Sequence, residues 1–123
     1  MSERALTLDL PGADLPGAGD PVITDIVAGA LSSIDADLPG ASDQAAAALG
    51  IQAGAEQVLL ILVDGLGYEL IQEYAGHTPT LRRLRGAMRS IHTVVPSTTA
   101  AAITAFGTGA RPGATNMVGF SVA

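Results

Sequence analysis

The chain contains no cysteine, so it forms no disulfide and holds no metal through thiolates, and its redox compartment is left open. Aromatic side chains are almost as scarce. Tyr68, Tyr74, Phe106 and Phe120 are the whole set. The stacking platforms that single-stranded nucleic acid requires are therefore missing, and nucleic acid is not an expected partner. No apolar run approaches the roughly 20 residues of a membrane span, so no membrane partner is expected either. Met1-Ser2-Glu3-Arg4 lacks the basic start and long apolar stretch of a secretion signal, which predicts a cytoplasmic protein. Positive charge is also in short supply: six basic residues face twelve acidic ones, for a net charge of −6.

That charge is divided along the chain. Residues 1–56 hold nine acids and one Arg, whereas residues 57–123 hold three acids and five Arg. An acidic lead followed by a slightly basic part suits an anionic substrate in the second part. Hydrophobic residues make up 48% of the chain and the mean hydropathy is +0.39, a core-forming composition with an aliphatic and alanine-rich interior. At 123 residues the chain is short for an α/β enzyme whose sheet is covered on both faces. It ends at Val118-Gly119-Phe120-Ser121-Val122-Ala123 without a cap or charged tail, which predicts the N-terminal piece of a larger domain.

Two regions are expected. Residues 1–56 read as an acidic lead with packing helices. It starts in a turn-rich stretch marked by Pro11-Gly12 and Pro16-Gly17, in which Leu6–Leu10 can add an edge strand. Asp20-Pro21 supplies an N-cap and first position for a helix through Ile34, with Val22, Ile23, Ile26, Val27, Ala30, Leu31 and Ile34 at helical spacing. Ser42 or Asp43 caps a second helix that Gly50 ends after Leu49. Residues 57–123 then read as a βαβα unit. The apolar, β-branched run 57–63 predicts a strand buried on both faces. Helices follow from Tyr68 to Tyr74 and again after Thr78-Pro79. Met88–Val95 predicts a second, parallel strand joined by a right-handed crossover, and Thr99–Phe106 a tightly packed helix.

Asp64 follows the first strand directly and precedes Gly65-Leu66-Gly67. Open α/β sheets place ligands at that strand end, and a lone carboxylate there is a hard-cation ligand. Pro96-Ser97-Thr98-Thr99 ends the second strand and opens a helix, presenting hydroxyls where a helix N-terminus favours phosphate. Metal-dependent phosphoryl transfer needs this set of parts: a carboxylate ligand, a hydroxyl activated as nucleophile, and amide donors such as those near Ala100 and Ala101 for the non-bridging oxygens. Spacing alone leaves Thr98 and Thr99 as equal nucleophile candidates. The plainer reading is that Asp64 only forms a turn and that the hydroxyls only cap the helix.

Three elements in order carry a resemblance: Leu62-Val63-Asp64-Gly65-Leu66-Gly67, Pro96-Ser97-Thr98-Thr99-Ala100, and Thr108-Gly109 followed by Pro112-Gly113. Together they resemble the N-terminal third of the alkaline phosphatase superfamily, nearest its type I phosphodiesterase/nucleotide pyrophosphatase branch. The resemblance covers residues 57–120. It implies an α/β fold of three layers around a mostly parallel sheet, alkaline-phosphatase-like and present only as its N-terminal part. In that superfamily the nucleophile lies nine residues before the Thr of a Thr-Gly pair, and counting back from Thr108 implies Thr99. The resemblance further implies Asp64 and Thr99 as ligands in a site for two divalent metal ions, usually zinc. It also implies a phosphothreonine intermediate and a small phosphate-ester or nucleotide substrate. The superfamily's remaining Asp and His ligands lie beyond Ala123, so the chain alone is expected to be inactive. Many relatives carry His-Gly where this chain has Thr115-Asn116.

Neighbouring readings fare worse. A sulfatase needs a Cys or Ser in a Pro-x-Arg context that is missing here, and the hydroxyl segment fits cofactor-independent phosphoglycerate mutase and phosphopentomutase poorly. Gly65 and Gly67 lack the third glycine of a dinucleotide fingerprint. His77 and His92 stand where no ligand is expected. The Arg82–Arg89 group reads as a solvated face, while Arg111, in the loop after Thr-Gly, is a candidate for substrate contact. The rival class is a non-catalytic relative in which the same residues cap and turn within a binding or assembly module.

Overall fold

The computed structural model describes residues 16–119. The expected edge strand Leu6–Leu10 and the last four positions of the 57–123 region lie outside them. Six α-helices follow one another among the described residues: α1 (Asp25–Ile34), α2 (Asp43–Leu49), α3 (Tyr68–Glu73), α4 (Pro79–Arg83), α5 (Thr99–Thr108) and α6 (Pro112–Thr115), with a 3₁₀ turn at Arg85–Ala87. Among the described residues the only β-pairing is an isolated parallel bridge between Val22 and His92. No helix is long and apolar enough to cross a membrane among them.

The bridge corrects the expected start of the first helix. His92 donates its amide to the Pro21 carbonyl (2.9 Å) and accepts from the Ile23 amide (2.8 Å). Residues 21–23 are thereby held alongside His92 and are unavailable for a helix turn. Helix α1 begins at Asp25 instead, with Thr24 at the N-cap and no side-chain cap bond. Asp25 reaches back to accept from the Val22 amide at 3.0 Å. The packing face differs as well: α1 buries Gly29, Ala30, Ser32 and Ser33, while Ile34 is exposed.

The small residues win because α2 lies close against them. A Cβ added at Gly29 would sit 3.0 Å from the Ala46 amide nitrogen and 3.2 Å from the Ala45 carbonyl carbon, so any larger residue would push α2 away by a few tenths of an ångström. Ser32 donates to the Asp43 carboxylate, and the Ser42 amide donates to the Ala28 carbonyl at 3.0 Å, joining the helices through polar groups. Helix α2 has the caps its sequence predicts. Ser42 accepts from the Ala45 amide, and Gly50 closes the helix in the left-handed region at φ 69°. The Ser33 carbonyl accepts from Gly54 and Ala55, which directs the chain toward residue 58.

A second cluster joins the lead of α1 to α5. Ile23, Val94, Ala101 and Ala105 are buried together, with Ile26, Ala102 and Phe106 packed against them. The alanines let α5 pack close to residues 92–94. By contrast, the apolar run ahead of Asp64 is open: Leu59 is 83% and Ile61 76% exposed, against 41% for Leu60 and 46% for Leu62. Residues 57–63 carry no ladder here. All of residues 57–63 are exposed, Leu59 and Ile61 most of all.

Candidate functional site

Two chain ends converge on one cavity. The first is the turn at Asp64-Gly65, where Gly65 takes φ 71°, a left-handed conformation that a β-carbon disfavours. Gly67 then serves as N-cap of α3, and the turn holds Asp64 at the end of the 57–63 run. The second is the start of α5, which the chain enters through a cis Val95–Pro96 peptide bond. Thr98 is the N-cap, with φ −76° and ψ 149°, and its hydroxyl accepts from the Ala101 amide at 3.3 Å. That contact engages Thr98 in capping. Thr99, the first helical residue, points its hydroxyl the other way, donating to Asp64 Oδ2 at 3.3 Å.

The two hydroxyls that spacing treats alike are thus given different tasks by the helix start. Thr99 Oγ1 and Asp64 Oδ2 meet across 35 residues of sequence. Around them lies a cavity of about 460 Å³ lined by Leu62, Leu66, Thr93, Ser97 and Ile103, with Ile23 behind. Its walls are mainly apolar, and no basic side chain lines it among the described residues. Donors for an anion come instead from the backbone. The Ala101 amide is taken by Thr98, whereas the Thr99 and Ala100 amides have no hydrogen-bond partner among the described residues. Donor capacity for a phosphate oxygen therefore sits one residue earlier than the sequence placed it.

The donor set can be tested against a divalent ion. At 3.3 Å the Thr99–Asp64 contact is longer than the usual ~2.7–2.8 Å of a hydroxyl hydrogen bond. Two oxygens bound to one tetrahedral ion at about 2.0–2.2 Å would lie about 3.3–3.6 Å apart. A carboxylate and a hydroxyl at this separation fit two corners of such a shell. They are not a complete site, since no group of three or more His, Cys, Asp or Glu that could hold an ion occurs among the described residues.

The remaining candidates lie elsewhere. His92 sits in the bridge to Val22, with Nε2 3.8 Å from the Asp20 carboxylate, and His77 stands beside Tyr74 at a ring distance of 6.5 Å. Arg85 donates twice to Gln72 Oε1, at 3.0 and 2.6 Å, and Arg82 and Arg83 are exposed on α4. Arg111 is the N-cap residue of α6 and lines the cavities beside Asp20 and Val94, not the one at Asp64. Thr115 bonds locally to Pro112 and Met117.

The model of the type I phosphodiesterase / nucleotide pyrophosphatase family matches residues 58–123, more than half of the chain. The chain belongs to this family. The matched stretch starts with the run that leads to Asp64 and includes Thr99, so both sides of the cavity lie within it. No curated protein and no solved structure matches the chain. Family membership places it among proteins of phosphodiesterase and pyrophosphatase type and leaves the individual roles of Asp64 and Thr99 to be argued from geometry.

Proposed function

We propose that the chain supplies the nucleophile side of a metal-dependent phosphodiesterase or nucleotide pyrophosphatase site, with Thr99 as nucleophile. The observation that carries this reading is the Thr99 Oγ1 to Asp64 Oδ2 contact at a helix start, inside the stretch matched by the family. The contact orients the hydroxyl. Its proton is directed to Asp64, which leaves the oxygen lone pairs for attack on phosphorus. A new Thr99 Oγ–P bond forms as the bond from phosphorus to the leaving oxygen breaks, giving a phosphothreonine that water then hydrolyses. The Thr99 and Ala100 amides stabilise the negative charge on the non-bridging oxygens. Asp64 and Thr99 would hold a divalent cation, zinc in this proposal, as two of its ligands. Such an ion would lower the hydroxyl pKa and neutralise charge at phosphorus.

The proposed fold is the N-terminal part of a three-layer, mostly parallel α/β domain, in which the exposed run 57–63 takes neighbouring strands. The other ligands, and a second ion, are assigned to protein outside the described residues. A second reading is favoured by one observation, the incomplete ligand set: a non-catalytic relative that binds or assembles through the same surface. Thr99→Ala in the full-length protein separates the two. Loss of nitrophenyl phosphodiester hydrolysis, with zinc retained, supports the proposal. Turnover equal to wild type overturns the nucleophile assignment, and no turnover by the wild type with zinc present supports the non-catalytic reading.

A further inference from the structure

Each of the two chain ends that meet at the Asp64–Thr99 contact also brings a large apolar side chain to the same cavity. On α5, Ile103 lies four residues after Thr99, one turn along and on the same helix face. In the turn, Leu66 follows Asp64 by two residues. Both line the cavity and both remain exposed, Leu66 by 38% and Ile103 by 49%. Neither belongs to the run 57–63, for which neighbouring strands are the proposed cover. Ala102, beside Ile103 on α5, and Ile23 extend the aliphatic wall. A cavity of this size, mostly apolar with a few polar groups gathered in it, has the form of a small-ligand site.

We propose that Leu66 and Ile103 select the substrate, a phosphodiester monoanion whose retained ester arm is an aliphatic chain. The assignment rests on the proposed attack by Thr99, which fixes where each arm lies. Attacking and leaving oxygens stand roughly in line on phosphorus, so the leaving group departs on the side away from Thr99 Oγ1. Side chains that flank Thr99 therefore meet the arm that stays on phosphorus. An alkyl arm is favoured there by the apolar surface that it, Leu66 and Ile103 withdraw from water. A ribose and base set against these two side chains would turn hydroxyls and ring nitrogens toward carbon that offers no hydrogen bond, at a desolvation cost.

Hydrolysis of nitrophenyl alkyl phosphodiesters, from methyl to hexyl, by the full-length protein tests this. Release of nitrophenolate leaves the alkyl arm on phosphorus throughout the series. The expected kcat/KM rises about twofold per added methylene, below the roughly fourfold of complete burial because both walls are part exposed. Ile103→Ala and Leu66→Ala should each cut the hexyl-to-methyl ratio severalfold, and Leu66→Met should keep it. A purely structural loss lowers every ester alike and leaves that ratio unchanged. The nitrophenyl ester of thymidine monophosphate should turn over more slowly than the hexyl ester. Monoalkyl methylphosphonates, in which a methyl group replaces the leaving ester, extend the series to binding without turnover, and their Kd should fall with chain length in wild type and in Thr99→Ala alike. A length-dependent Kd together with turnover by Thr99→Ala refutes the nucleophile and leaves the aliphatic seat standing. A flat response from methyl to hexyl, a ratio unchanged in both alanine variants, preference for the thymidine ester, or no phosphonate binding overturns the seat, even where Thr99→Ala is inactive.

Discussion

Replacing the two adjacent threonines at the start of α5 should have opposite consequences for stability and for chemistry. The Thr98 hydroxyl caps the helix through the Ala101 amide. Its removal by Thr98→Ala costs about 0.5–2 kcal/mol by the general worth of N-caps, and the 3.3 Å length of this bond places the loss at about 1 kcal/mol or below. For a chain of 123 residues that is a fall of about 4 °C in Tm per kcal/mol. Thr99 caps nothing. In Thr99→Ala, one exposed hydrogen bond to Asp64 is lost, while alanine is the better helix former by up to about 0.7 kcal/mol, so the two terms offset to within about 0.5 kcal/mol. Thermal melts of T98A, T98S and T99A followed by circular dichroism check this. T98A should melt lower, T98S should recover most of the loss, and T99A should melt within about 3 °C of wild type. A T99A variant that loses as much stability as T98A would refute the division of labour, because Thr99 would then be the structural residue of the pair.

Further substitutions probe the packing that supports the site. Gly29→Ala places a Cβ 3.0–3.2 Å from the backbone of α2; overpacking of about 1–3 kcal/mol exceeds the roughly 1 kcal/mol gained in helix propensity, so urea unfolding should show a net loss of up to about 2 kcal/mol. Gly50→Ala forces a β-carbon into φ 69° and into the Arg89 guanidinium. The mobile arginine can move, so the expected loss is the roughly 1–2 kcal/mol of the left-handed backbone, and it should persist in an Arg89→Ala background. Ser32→Ala leaves Asp43 without its partner from α1. A loss of about 1 kcal/mol in the midpoint analysis is expected, and a neutral result would show that this link between α1 and α2 adds nothing.

Much of this arrangement is legible in the residues themselves. The Ser42 and Gly50 caps of α2, the start of α3 at Tyr68 and that of α5 at Thr99 coincide with their turn and cap chemistry, since local hydrogen bonds decide them. The start of α1 does not, because its deciding partner, His92, is about seventy residues away and no local pattern encodes that pairing. The buried face of α1 was masked for a related reason. Valine and isoleucine spacing points to an apolar stripe, whereas Gly29, Ala30, Ser32 and Ser33 are buried because α2 comes close enough to exclude larger side chains. At the site, Asp64 and the Pro96–Thr99 segment can be picked out by residue type, but the choice between Thr98 and Thr99 depends on which one the helix uses as its cap. The spacing to Thr108 implies Thr99 only through the resemblance; the backbone turn at Thr98 adds that the Thr98 hydroxyl is the one used as cap. Residues 57–63 have the composition of a strand, and a ladder is a property of neighbours that composition does not supply.

The account stands on the hydroxyl at Thr99 being the atom that attacks phosphorus. Acid quenching of the full-length protein during turnover of a nitrophenyl phosphodiester, followed by peptide mass spectrometry, measures this directly. A phosphoryl-containing adduct on Thr99, absent in Thr99→Ala, is the predicted result. An adduct on Ser97 or Thr98, or continued turnover by the Thr99→Ala protein, would contradict it.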